Sequence, residues 1–122
     1  MFMEEKCCIE DWNGQEMTIL DSLPHRVVVP ILNKIRYYQN HTVNQLKNNR
    51  KFLESISGVN SEIVLWELKF YSDPPYRAIC IVIGSRIIVL VMFQGSGSHG
   101  KVRKWVPKAL VKAGEWYKQN NL

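Results

Sequence analysis

The sequence predicts an α+β protein with an N-terminal helical hairpin, a three- to four-stranded antiparallel sheet and a C-terminal helix. Three observations lead there. Within residues 63–71 Trp66, Leu68 and Phe70 alternate with Glu67 and Lys69 at period two, residues 78–83 and 87–93 are apolar runs on either side of the Gly84-Ser85 turn, and three further stretches carry apolar residues at helical spacing. A chain of 122 residues, 46% of them hydrophobic, suffices for one core and is too short for two ordinary domains. A single domain over residues 1–122 is expected.

Residues 6–12, KCCIEDW, read as a short edge strand closed by the turn signal Asn13-Gly14. From Ser22 a helix is expected, with Ser22 as cap, Pro24 in the first turn, and Val28, Ile31, Leu32, Ile35 and Tyr38 in the apolar stripe. Pro30 removes a hydrogen bond inside that helix and costs about 3 kcal/mol, which predicts a kink or a restart. Thr42 and Gln45 stand in capping-box positions for a second helix. Its buried stripe would be Val43, Leu46, Leu53 and Ile56, and Gly58 its stop.

Three strands follow, near 63–71, 76–83 and 86–93. Asp73-Pro74-Pro75 turns the chain after the first, and Gly84-Ser85 suits a type II′ hairpin between the other two. Because AICIVI and IIVLVMF are apolar on both faces, the sheet must be covered on both sides, by the C-terminal helix or by a partner. Gly95 to Gly100, GSGSHG, is flexible by composition. The basic helix after it begins between Val102 and Pro107 and places Val102, Trp105, Val106, Ala109, Leu110, Ala113, Trp116 and Tyr117 on one side.

Charge is divided along the chain. The first 21 residues carry six acids against Lys6, whereas the remaining 101 carry 15 Lys and Arg against five acids. Such a body attracts polyanions, and salt weakens the attraction. Three cysteines, two of them adjacent at Cys7 and Cys8, make no disulfide framework, and their spacing from His25, His41 and His99 matches no zinc site. No metal or other cofactor is expected. The apolar runs fall short of the roughly 20 residues of a bilayer span, and MFMEEKCCIEDW lacks a basic start followed by an apolar stretch. A cytoplasmic protein with no membrane partner is expected.

Chemistry concentrates on the first of the three strands. Val64, Trp66, Leu68 and Phe70 fall on one face, and Glu67, Lys69 and Tyr71 on the other. Arg77 opens the returning strand. If the register permits, a carboxylate, an ammonium, a guanidinium and a phenol share one surface, a set suited to a phosphodiester. In the plainer reading, Glu67 and Lys69 form a surface ion pair worth less than about 1 kcal/mol and Arg77 pairs with Asp73.

The order of elements, with LWELKF, then YRAICIVIG, then RIIVLVMF, resembles the RelE/ParE superfamily of toxins and, within it, the phage-derived HigB-like branch. The resemblance runs from about Leu20, in ILDSLP, to the C-terminal helix. Its most specific part is the pairing of LWELKF with PYR ahead of an apolar hairpin ending in FQ. It implies a RelE-like fold and a ribosome-dependent mRNA endoribonuclease from a type II toxin–antitoxin pair, using no metal. In that chemistry the ribose 2′-OH attacks the adjacent phosphate, so the site needs a base, cations for the developing charge, and an acid for the leaving 5′-oxygen. By position, Lys69 and Arg77 match the family's basic residues and can clamp a phosphate. Glu67 stands where some members carry a lysine and is the candidate base.

Related chains place lysines after the last strand, whereas this one has Gln94-Gly95-Ser96-Gly97-Ser98-His99-Gly100. His99 is the candidate acid, since imidazole titrates near neutral pH. Tyr71, Arg86, Lys101, Arg103 and Lys104 are the candidate RNA-binding residues. The implied partners are mRNA on the ribosome and a helix-turn-helix antitoxin, with a homodimer inside the toxin–antitoxin complex as a further assembly. Two alternatives stand beside this reading: a ParE-like toxin that binds DNA gyrase and cleaves no RNA, and an inactive remnant that only binds its partner. The acidic N-terminus is a candidate cover for the basic groove.

Overall fold

The computed structural model describes residues 4–14, 17–95 and 100–121, and of residues 100 and 101 only the helical backbone. Strand β1 (Cys8–Asp11) leads through a 3-10 turn (Thr18–Ser22) to helix α1 (His25–Tyr38) and the short helix α2 (Val43–Lys47). Strands β2 (Leu53–Ser55), β3 (Trp66–Phe70), β4 (Tyr76–Ile83) and β5 (Arg86–Gln94) follow, and helix α3 (Gly100–Gln119) closes the order. The strands make one five-stranded sheet in the order β1-β5-β4-β3-β2. From β5 to β2 it is antiparallel, while β1 runs parallel to β5 at the edge. The fold is α+β as predicted, but its sheet is mixed and has one strand more than the upper expectation.

Both faces of the sheet are covered. On one side Val27, Ile31, Ile35 and Tyr38 of α1 pack on Leu68, Phe70, Ala78, Cys80, Ile87 and Val89. On the other, Val102, Ala109, Ala113 and Trp116 of α3 pack on Leu65, Ile79, Ile81, Ile88, Leu90 and Phe93. The two apolar-faced strands β4 and β5 therefore lie inside a three-layer arrangement. The buried Val, Leu, Ile and Phe side chains among them stabilise by about 1.5–3 kcal/mol each. A bulge between Ile79 and Cys80 skips Leu90 in the pairing, so that Phe93 lies opposite Arg77 on the α3 face. Phe93 stacks there on Trp105 at 5.6 Å.

The predicted helical hairpin is not what forms. The second helix stops at Lys47, and Leu53, assigned to its stripe, pairs with Leu68 in β2. The Asn48-Asn49 pair ends the helix, where the Asn49 side chain accepts from Lys51 N at 3.0 Å. Leu46, Leu53 and Ile56 satisfy a helical spacing by coincidence, because strand pairing with β3 wins over local propensity. Gly58, expected as the helix stop, lies in the loop beyond β2 with φ +74°. The capping box of Thr42 and Gln45 forms as predicted.

Helix α1 also departs at its start and at its proline. Ser22 belongs to the 3-10 turn and Pro24 occupies the cap position, so the helix begins at His25. It passes Pro30 without a restart. Pro30 is exposed, and the four buried side chains of the opposite face hold the helix together across the missing bond. At the β4–β5 hairpin Gly84 has φ +62° and Ser85 has a negative φ, the pattern of the predicted type II′ turn.

Of the N-terminal acids, Glu10 and Asp11 belong to the edge strand β1. Glu10 pairs with Arg86, and the buried Asp11 accepts from Ile19 N at 2.7 Å and Thr18 Oγ1 at 3.0 Å. Four strand spacings separate β1 from β2, about 19 Å, so these residues do not cover the groove beside β2. No helix among the described residues is long and apolar enough to cross a membrane.

Candidate active site

Strands β2, β3 and β4 bring the polar residues of the α3 face together. Glu67 and Lys69 alternate with the buried Leu68, so both leave β3 on the side away from α1. Arg77 lies directly opposite Lys69 in the β3–β4 register. Its guanidinium reaches diagonally, and Nη1 donates to Glu67 Oε1 at 2.6 Å. The Glu67 side chain is 2% exposed and that of Arg77 12%, which makes this a buried, charge-assisted pair.

Lys69 turns toward the opposite neighbour. Its Nζ donates to Arg50 O at 2.8 Å and to Glu54 Oε1 at 3.3 Å. Glu54 of β2 lies directly opposite Glu67 in the β2–β3 register, an arrangement of like charges that is repulsive by itself. Each carboxylate is offset by its own cation, Glu54 by Lys69 and Glu67 by Arg77. Arg50 adds a weaker contact at 4.0 Å to Glu54 from an exposed position.

A cavity of about 220 Å³ opens beside this array, lined by Glu54, Ser55, Ile56, Ser57, Glu67, Val102 and Arg103. The first turns of α3 supply one wall and the strand end of β2 the other. Arg103 lies against Gly58, whose missing side chain makes room: a Cβ there would come within 3.2 Å of Arg103 Nη1. The cavity is smaller than ordinary small-molecule sites. Its lining carries two carboxylates, Glu54 and Glu67, and one guanidinium, Arg103.

The remaining predicted residues are dispersed. Tyr71 is 62% exposed, and its hydroxyl donates to Lys51 O at 2.6 Å at the end of the sheet next to Lys69. Arg86 is remote: Arg77 pairs with Phe93, seven residues and about 23 Å along β5 from Arg86. There its guanidinium pairs with Glu10 and lies 5.4 Å from the Trp116 ring. Lys104 is exposed on α3. His99 and the side chain of Lys101 lie outside the described residues.

Sequence reasoning missed Glu54 because it placed that residue in a helix. The available signal was Asn48-Asn49 before and Gly58 after a short run, which brackets a strand as well as a helix end. The plainer pairing of Arg77 with Asp73 gives way to the pair with Glu67. Among the described residues no group of three or more His, Cys, Asp or Glu could hold a metal ion. No family model matches this chain, and neither a curated protein nor a solved structure matches it.

Proposed function

We propose that this chain is a ribosome-dependent mRNA endoribonuclease of the RelE/ParE type, the toxin of a type II toxin–antitoxin pair. The observation that carries the reading is the array of Glu67, Arg77, Lys69 and Glu54 beside a cavity walled by Arg103. The order of edge strand, helices, antiparallel meander and basic helix supports it as well.

In the proposed step the 2′-OH attacks the adjacent phosphorus. The 2′-O–P bond forms, the P–O5′ bond breaks, and a 2′,3′-cyclic phosphate and a 5′-OH result. Glu67, lining the cavity, takes the 2′-OH proton while Arg77 holds its carboxylate in place. Lys69 exchanges Glu54 for a phosphate oxygen, and Arg103 meets the phosphate from α3. His99 is the candidate to return a proton to the 5′-oxygen. The exposed Arg103, Lys104 and Lys108 of α3 form a cationic strip that an acidic, amphipathic antitoxin segment would neutralise.

A second reading has its own observation. Both carboxylates already neutralise the cations beside them, a resting arrangement suited to a protein that binds a partner, such as an antitoxin or gyrase, and cleaves nothing. Induction in a bacterial host separates the two. The nuclease reading expects growth arrest and new 5′ ends inside translated frames, both lost in Lys69→Met. Arrest with intact mRNA, or no arrest, overturns it.

A further inference from the structure

The open end of the sheet carries an aromatic cluster that the cleavage chemistry does not use. Lys34 of α1 places Nζ 4.4 Å from the ring centroid of Tyr37, 4.7 Å from Phe52, 5.2 Å from Tyr38 and 6.0 Å from Tyr71. Four rings therefore surround one ammonium. Tyr38 is fully buried and Phe52 half-buried, and their edge-on contact at 5.4 Å belongs to the core. Tyr37 and Tyr71 differ: they remain 43% and 62% exposed.

We infer that Tyr37 and Tyr71 form a stacking subsite for one unpaired base of a single-stranded nucleic acid, next to the nucleotide held at the cleft. The inference rests on the cleavage reading for its neighbour and adds the recognition of the flanking base. Both rings are held before any ligand arrives. Tyr71 is tied through its hydroxyl to Lys51 O, and Tyr37 packs edge-on against Phe52 at 5.7 Å. Stacking on a fixed ring costs little ordering entropy.

Position links this cluster to the cleft. Tyr71 follows Lys69 by two residues of extended chain, about 7 Å, within the reach of one nucleotide. The segment that passes beside both supplies Arg50 O to Lys69 and Lys51 O to Tyr71, so one short stretch of backbone orders both groups. Charge favours the same occupant. Lys34, Arg50, Lys51 and Lys69 at this end outnumber the acids Glu54 and Asp73 beside them, so a phosphate backbone is attracted here. A cationic ligand is repelled, because Lys34 already occupies the centre of the rings.

The test measures binding of two labelled single-stranded tetranucleotides by fluorescence anisotropy at low salt. Both carry a 2′-deoxy sugar at the attacking position to prevent cleavage, and one lacks the flanking base. Tyr37→Leu and Tyr71→Leu each weaken binding of the complete oligonucleotide about tenfold and leave the abasic one unchanged. Tyr71→Phe keeps the ring but gives up the hydroxyl tie to Lys51 O, and recovers most of the affinity that Tyr71→Leu loses. Thermal unfolding checks that each variant is folded.

Equal losses on both probes, or no loss in either Leu variant, overturn the inference, as does a wild type that binds neither probe. Lys69→Met separates this outcome from failure of the cleavage reading. It weakens both probes alike when the cleft holds the phosphate, whatever the rings do.

Discussion

Replacing Arg77 by methionine removes the cation from a carboxylate that is 2% exposed. Methionine fills much of the space, so the dominant effect is a buried charge without its closest partner. Breaking such a pair from one side costs about 3–5 kcal/mol. That is a large share of the roughly 5–15 kcal/mol expected for a domain. With a urea slope of about 1.5 kcal/mol/M, the midpoint falls by about 2–3 M. Adding Glu67→Gln removes the stranded charge, so the double variant recovers at least half of the loss.

The assay is urea unfolding followed by tryptophan fluorescence, with all four members of the cycle measured at one pH. The outcome also bears on functional tests, since Arg77→Met alone confounds lost chemistry with lost folding. A midpoint shift below about 0.5 M for Arg77→Met, or a double variant no more stable than the single one, refutes the view that this pair is buried and coupled.

Two further predictions concern the surroundings. Gly58→Ala costs about 1 kcal/mol or more, because φ is +74° and the new Cβ crowds Arg103; urea unfolding measures the cost, and a stabilised variant contradicts it. Thiol labelling of the native protein at pH 8 modifies Cys8 first, since Cys8 is exposed, burial pushes the Cys7 thiol up to about 11, and burial also raises Cys80. Mass spectrometry after a short pulse shows one modification, rising to three in denaturant; fast labelling of Cys7 or Cys80 in the native state contradicts the packing.

The meander was readable because its signals are local and agree with one another. Trp66, Leu68 and Phe70 alternate with Glu67 and Lys69, and Gly84 supplies the positive φ of the hairpin turn. The segment around Leu53 was misread because a three-residue edge strand has no periodicity of its own. Its state is set by pairing with β3, a contact between residues distant in sequence. For the same reason the parallel pairing of β1 was not legible: Cys8–Asp11 looks like an edge strand, but nothing in it names β5 as the neighbour. Lys69 and Arg77 were found together because their register follows from one short turn. Glu54 entered the array only through the misread strand, and Arg86 left it because the length of β5 carries it to the far end.

The central claim is that Glu67, Lys69 and Arg77 cleave RNA on the ribosome. Its most direct test incubates the purified chain with ribosomes stalled on a defined mRNA and identifies the chemistry of the new ends. The wild type is compared with the Glu67→Gln, Arg77→Met double variant, in which the stranded charge is absent. The account predicts fragments ending in a 2′,3′-cyclic phosphate and beginning with a 5′-hydroxyl, and no cleavage by the folded double variant. Intact mRNA with the wild type, or equal cleavage by the double variant, contradicts it.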